Sequence, residues 1–359
     1  MTIPNALRFL FFLPLIFLLA VCKPPNPPLE GISTQVQPDS DKPGSGTDPS
    51  NDNSDPGTGI DPNDNGSEGD DPGDTQPEEN PAITLSAAAA SGSAYPLILA
   101  AGFDYETPDQ SGGGHEGVPH IVQQYDTALQ ENVFAFVTHL NDDRNVTGDW
   151  TRQRVEIKVN HKNGSPGHDF CAWNGDEGGS FIYRWKFKLP EDFAVSTEFS
   201  HIHQIKNEGG DASQPIVALT ARAMSGNSAD TRMQLAYYAP GSSSPVNWVN
   251  AANSLAPYLG RWVQCEERIS YSQDAALAAY SIEITGIADG RTLMKFTAPA
   301  GIVTWRDGNN YGRPKFGLYR RIFPGASPGD YIEPSAANAI GGLKDETVLF
   351  ADFEVIRVQ

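Results

Sequence analysis

Arg154-Val155-Glu156-Ile157-Lys158-Val159 alternates charged and branched apolar residues with a period of two. Successive side chains of an extended strand point to opposite faces. Arg154, Glu156 and Lys158 therefore share one face, while Val155, Ile157 and Val159 share the other. The same alternation recurs at Val133–Val137, Phe181–Phe187, Ile216–Ala221, Met233–Tyr238, Tyr280–Ile284, Lys315–Tyr319 and Thr347–Val355. Turn signals such as Asn163-Gly164, Pro240-Gly241, Asp289-Gly290 and Asp307-Gly308 punctuate these runs. Only Ile121–Leu129 and Ala251–Leu255 suggest short helices, and no helical pattern recurs between strands. This argues against an α/β architecture. The expected fold is all-β, a two-sheet sandwich or jelly roll.

Outward from these strands the composition changes sharply. Phe9–Val21 is apolar apart from Pro14, with Arg8 before it, a run too short to span a bilayer comfortably. It reads as an export signal ending in Leu19-Ala20-Val21-Cys22, which is similar to a bacterial lipobox whose cysteine carries the lipid; plain secretion is the alternative. Lys23–Pro81 holds 14 acidic residues against two lysines and almost no large apolar side chains. Such a segment cannot bury enough surface to offset its ordering entropy and reads as a solvated tether. The linker is expected over 23–94, through an Ala/Ser-rich entry at Ser86–Ser93, with the folded domain at 95–359. The expected protein is an exported monomer, at the bacterial cell surface or in the periplasm, touching membrane only through Cys22.

The full chain of 359 residues carries 25 Lys+Arg against 45 Asp+Glu, a net charge of −20. A general nucleic-acid binder needs a basic surface and is excluded on this balance. No nucleotide-binding fingerprint, serine nucleophile elbow or zinc-type His/Cys spacing is present. On a strand His201 and His203 would share a face, but a metal there would need ligands from elsewhere. Cys171 and Cys265 are either a disulfide, as suits an exported chain, or two buried thiols.

Three strands are basic on one face and apolar on the other. Arg154 and Lys158 fall in step, as do Gln204 and Lys206, and Tyr311, Arg313, Lys315, Tyr319 and Arg321. A concave sheet lined in this way suits a long anionic chain. Arg152–Lys158, Phe199–Lys206 and Arg313–Arg320 resemble the glucuronan lyases and, more distantly, the jelly-roll alginate lyases. In the alginate enzymes the matching strands carry Arg-Ser/Thr-Glu-Leu-Arg, Gln-Ile/Val-His and Tyr-Phe-Lys-Ala-Gly-Val-Tyr. The resemblance spans about His115 to the carboxyl terminus.

The resemblance implies β-elimination of a 1,4-linked polyuronate with no required cofactor. Gln204 and Arg154 match the positions that neutralise the substrate carboxylate, and Tyr319 matches the catalytic tyrosine. A phenol ordinarily titrates near 10, so such a tyrosine needs cationic neighbours such as Arg154, Lys206 or Lys315. In glucuronate the C5 proton and O4 lie on the same face of the ring. One tyrosine can then serve as base and acid in a syn elimination. Lys206 stands where the alginate enzymes place a histidine, which favours glucuronan over guluronate. His168 is the candidate groove histidine. Lys158, Lys206, Tyr311, Lys315 and Arg222 are candidate substrate-binding residues, as is His203 if a bulge turns it into the groove. Regular parity would point both His201 and His203 inward.

Trp173, Trp248 and Trp305 are candidates for stacking on sugar rings. Asp104 and Asp352, near the first and last strands, are candidate ligands of a structural calcium ion. The competing readings are a lyase on alginate or another uronate polymer, a non-catalytic carbohydrate-binding jelly-roll lipoprotein, and a glycoside hydrolase. The last would need two carboxylates in the groove, and Glu156 has the right parity for one.

Overall fold

A computed structural model describes residues 82–110, 112–145, 151–159, 173–224, 227–249, 253–322 and 342–358. The export signal, Cys22, the 23–81 tether, His168 and Cys171 lie outside the described residues.

One sheet is built from β1 (Ile83–Leu85), β3 (Ile121–Asp126), β4 (Glu131–Thr138), β6 (Ser180–Lys188), β11 (Trp262–Ser270), β12 (Ala279–Gly286), β13 (Thr292–Thr297) and β15 (Glu346–Val358). Its order is β13-β12-β11-β6-β15-β4-β3, with β1 also paired to β15. The second sheet holds β2 (Phe103–Glu106), β5 (Arg152–Val159), β7 (Ser200–Gly209), β8 (Val217–Met224), β9 (Asn227–Tyr237), β10 (Val246–Val249) and β14 (Asn309–Arg321). Its order is β10-β9-β8-β7-β14-β5-β2. Every strand pairing in both sheets is antiparallel. The chain passes repeatedly from one sheet to the other, as expected of a jelly roll.

The alternation read from the sequence sets the core. Phe134, Phe136, Phe181, Tyr183, Trp185 and Phe187 of the first sheet meet Val155, Ile157, Ile205, Leu219, Leu235, Phe316 and Leu318 of the second in one buried cluster. Burial of these side chains stabilises each by about 1.5–3 kcal/mol relative to exposure.

Two local expectations are corrected. Ile121–Leu129 is not a helix: Ile121–Asp126 is the edge strand β3, paired to β4. Ile121 enters the core while Val122 packs on a small apolar cluster including Val133, Ala135 and Trp262. Short helical structure lies instead at α1 (Tyr95–Ala100), opened by Pro96 in its first turn, and at a 3₁₀ turn over Ala256–Tyr258. The Ala251–Leu255 reading lies partly outside the described residues. The folded part also begins before Tyr95. Ile83 pairs with Val355, and Ser93 bridges to Val122. Strand β1 is only three residues long, too short for alternation to announce it.

A polar bridge crosses the core. His203 of β7 donates from Nε2 to Glu267 Oε2 of β11 at 2.7 Å, and the Tyr280 hydroxyl donates to Glu267 Oε1 at 2.6 Å. His203 also packs between Trp185 and Phe316, with ring centroids at 4.5 and 4.7 Å. Both partners are fully buried, so removing one strands the other in a low-dielectric interior. His203→Leu is expected to cost about 3–5 kcal/mol in urea denaturation. His203→Leu combined with Glu267→Gln should recover part of that loss, because an amide left there is cheaper to bury than a carboxylate.

Candidate active site

The outer face of the second sheet carries the alternate residues of β2, β5, β7 and β14. The registers align them: Lys315 faces Lys158 on one side and Gln204 on the other, and Tyr319 faces Arg154 and His201. Gly317 makes this close pairing possible. It sits at φ +147°, and a Cβ there would lie 2.1 Å from the Val155 carbonyl oxygen. Any side chain would push β14 off β5.

A bulge in β7 sets which histidine reaches the groove. His201 pairs with Thr220 and His203 with Leu219, so two steps along β7 span one step of β8. Ile202 and His203 both turn into the core, and His201 is left on the groove face beside Tyr319. The expectation that a bulge would present His203 is therefore corrected: the bulge exists, and it presents His201. The pattern contained a sign of this. With Gln204 and Lys206 facing out, a regular strand would also expose Ile202 on a charged face. The bulge removes that conflict.

Tyr319 is held by cations and rings. Arg152 Nη1 donates to its hydroxyl at 2.6 Å, and the Arg154 guanidinium lies 4.0 Å from its ring centroid. Phe199 stacks on His201 at 4.5 Å and packs on Tyr319 at 5.2 Å. Burial, then the charges of Arg154, Arg152, Lys206 and Arg222, push the His201 imidazole down to about 3. His201 is thus neutral at physiological pH, and its buried Nδ1 has no hydrogen-bond partner.

Glu106 of β2 is the counter-charge of the groove. It accepts from Lys158 Nζ at 2.7 Å and Lys315 Nζ at 2.6 Å, and it also binds Arg154. Burial would raise its carboxyl, but Lys315, Arg154 and Lys158 overcome this and hold it well below the usual carboxylate range. Glu156, facing Glu106 across the strands, accepts from Gln204 Nε2 and lies 3.4 Å from Arg154 Nε. Lys315 is pushed down to about 8 by burial and by Arg154 and Arg313, against the pull of Glu106 and Glu156. Lys206 is also lowered, by burial and Arg154. Among the described residues Lys206 has no carboxylate partner in ion-pair range, which leaves it available to an incoming anion.

Tyr311, Arg313 and Arg222 flank this centre. Arg313 binds Glu208 and lies over the Tyr311 ring at 5.5 Å. Burial, with Glu208 and Asp104, raises the Tyr311 phenol to about 12 against Arg313. Arg222 Nε donates to the Thr197 carbonyl at 3.3 Å, with its charge acting on His201. Trp173, Trp248 and Trp305 pack against the core; Trp248 lies flat on Tyr237, centroids 4.8 Å apart. Cys265 is a buried free thiol. The proposed calcium pair is not brought together. Asp104 lies in the groove sheet, 3.8 Å from Lys158, whereas Asp352 of the other sheet binds Lys186 and accepts from Ser86 Oγ at 2.8 Å. Each carboxylate already has its own cation.

The arrangement suits proton transfer at a phenol better than hydrolysis between two acids. A glycosidase acid needs a carboxyl raised toward neutrality. Glu106 is driven the opposite way, and Glu156 is committed to Gln204 and Arg154. Away from the groove, the structure gathers His115, His120, His139 and Asp143 into a set of metal-type donors. Two of these residues precede the β3–β4 hairpin and two follow it, so no short zinc-type spacing announces them.

No known family description matches the chain, and no curated protein matches it. Among solved structures it is similar to the alginate lyase from Klebsiella pneumoniae, at 12% identity and a TM-score of 0.44 over 71% of this chain and 94% of that one. Alginate lyase A1-II', a member of polysaccharide lyase family 7, gives 13% identity and 0.38 over 66% and 83%. Alginate lyase PA1167 from Pseudomonas aeruginosa gives 14% and 0.37 over 65% and 84%. At such identities and scores these likenesses assign no activity to this chain.

Proposed function

We propose that the protein is a polysaccharide lyase that cleaves a 1,4-linked polyuronate, with glucuronan as its preferred substrate, by syn β-elimination. The observation that carries this reading is the setting of Tyr319: its hydroxyl receives an arginine N–H at 2.6 Å, on a cation-lined groove beside a neutral histidine. The resemblance of the Arg154, Gln204 and Tyr319 strands to the glucuronan lyases supports the choice of sugar.

The substrate carboxylate meets Lys206 and the Gln204 amide, which offset the charge that builds up when the adjacent C5 proton leaves. Tyr319 takes that proton, the C4–O4 bond breaks as the C4–C5 double bond forms, and the phenol returns a proton to O4. Negative charge on the phenolic oxygen is met by the fixed cations Arg152 and Arg154. Arg154, already paired with Glu106 and Glu156, holds Tyr319 in place more than it receives substrate. His201, neutral, hydrogen-bonds sugar or phenol without adding charge. No cofactor enters these steps. The amino-terminal signal and acidic tether suit a groove displayed outside the cell from a lipid anchor at Cys22. A purely carbohydrate-binding role would call for exposed aromatic platforms, whereas Trp305 is buried and the half-buried Trp173 and Trp248 pack against the core.

Digestion of a panel of polyuronates should raise the ultraviolet absorbance of unsaturated uronates, fastest on glucuronan. No rise on glucuronan, alginate, heparin-type or ulvan chains would sink the proposal. Tyr319→Phe should lower kcat by about 10²–10⁴-fold with the circular dichroism spectrum unchanged; retained turnover would reject its role.

Lys315 is charged below about 8 and neutral above it. Because the groove loses a cation as pH rises through that value, KM for the polyanion should climb there, and Lys315→Met should flatten the climb. His201 stays neutral above about 3. A rate limb at the ordinary imidazole value of about 6.5 that vanishes in His201→Gln would contradict its assigned state.

A further inference from the structure

We propose that His115, His120, His139 and Asp143 form a closed structural site for one zinc-class divalent ion that buttresses the groove strands from behind. The four donors lie within 4.8 Å of one another. Asp143 Oδ1 is 2.9 Å from His115 Nδ1 and 2.8 Å from His120 Nε2, and its Oδ2 is 3.4 Å from His139 Nδ1. The three imidazoles fan around a common point, with centroids 4.9–5.2 Å apart and planes crossed at 75–82°. His139 Nδ1 is buried, makes no hydrogen bond and faces Asp143 Oδ2 across the cluster. Three imidazoles and one carboxylate are the borderline nitrogen and oxygen donors of a tetrahedral zinc site. Four protein ligands leave no open position, which marks the ion as structural.

The surroundings support the ligands as metal sites require. The other ring nitrogen of His120, Nδ1, faces Asp109 Oδ1 at 3.4 Å. The Tyr95 hydroxyl donates to the same oxygen at 2.8 Å and accepts the His120 backbone N–H at 2.9 Å. A carboxylate thereby orients the ring whose Nε2 faces the centre.

The site clamps the glycine-rich segment 112–120 to the turn after β4, where Arg144 N also donates to the Gly113 carbonyl at 2.8 Å. That turn is the support of the groove. Gln153 of β5, between Arg152 and Arg154, donates to the carbonyls of His139, Leu140 and Asp143. Its Oε1 accepts from Arg320, the neighbour of Tyr319, at 2.8 Å. The ion would thus fix the positions of both arginines and the tyrosine without touching substrate.

The test is independent of the lyase reading, because it measures metal. The full chain, stripped with a strong chelator and titrated with Zn(II) by calorimetry, should bind one ion per chain and gain several degrees in Tm by mass action. Substituted with Co(II), it should show the intense visible bands of a tetrahedral site. His115→Ala/His139→Ala, at the two partly exposed ligands, should lose the stoichiometric uptake and the bands. Wild-type chain that takes up no Zn(II) and gives no such bands with Co(II) would overturn the proposal, as would a double variant that binds as well as wild type.

Discussion

A single extra residue in β7 governs both faces of the groove sheet. Without it, His201 and His203 would share a side and Ile202 would be exposed among charges. With it, Ile202 and His203 enter the core together and His201 turns out beside Tyr319. The inward histidine ties the two sheets through Glu267 and Tyr280; the outward one completes the setting of the phenol. A bulge interrupts a ladder and leaves a residue unpaired. Here that local cost is offset by a buried hydrogen-bonded bridge and by the burial of an isoleucine.

The charge of the groove differs from the charge of the chain. The sequence carries −20, much of it in the acidic 23–81 segment, yet the outer face of the second sheet gathers Arg152, Arg154, Lys158, Lys206, Arg222, Arg313 and Lys315 around Asp104, Glu106, Glu156 and Glu208. Glu106 keeps this concentration of cations tolerable by pairing with three of them at once. The cost of holding so many charges in a half-buried site appears as the depressed Lys315, Lys206 and His201. Strain of this electrostatic kind is relieved by an arriving anion, which supports the proposed polyanionic substrate.

The period-two runs made the sandwich and most of its core legible in the sequence, because alternation is a property of each strand alone. Tyr319, Arg154, Gln204 and Lys315 were legible for the same reason: each keeps regular parity on its own strand. His201 was not, since its direction depends on how β7 registers against two neighbours. Glu106 was missed because β2 is a short edge strand, and its ion-pair partners come from β5 and β14. The metal-type cluster joins two loops across a hairpin, so only the folded chain brings its donors together. Ile121–Asp126 looked helical because Ile121 and Val122 are both apolar and serve opposite faces.

The proposed elimination would leave its record in the products. Oligouronates released in isotopically labelled water should carry no solvent oxygen, and each new non-reducing end should be one water lighter than a saturated sugar. Products that incorporate the label and keep saturated ends would be those of a hydrolase and would contradict the role given to Tyr319.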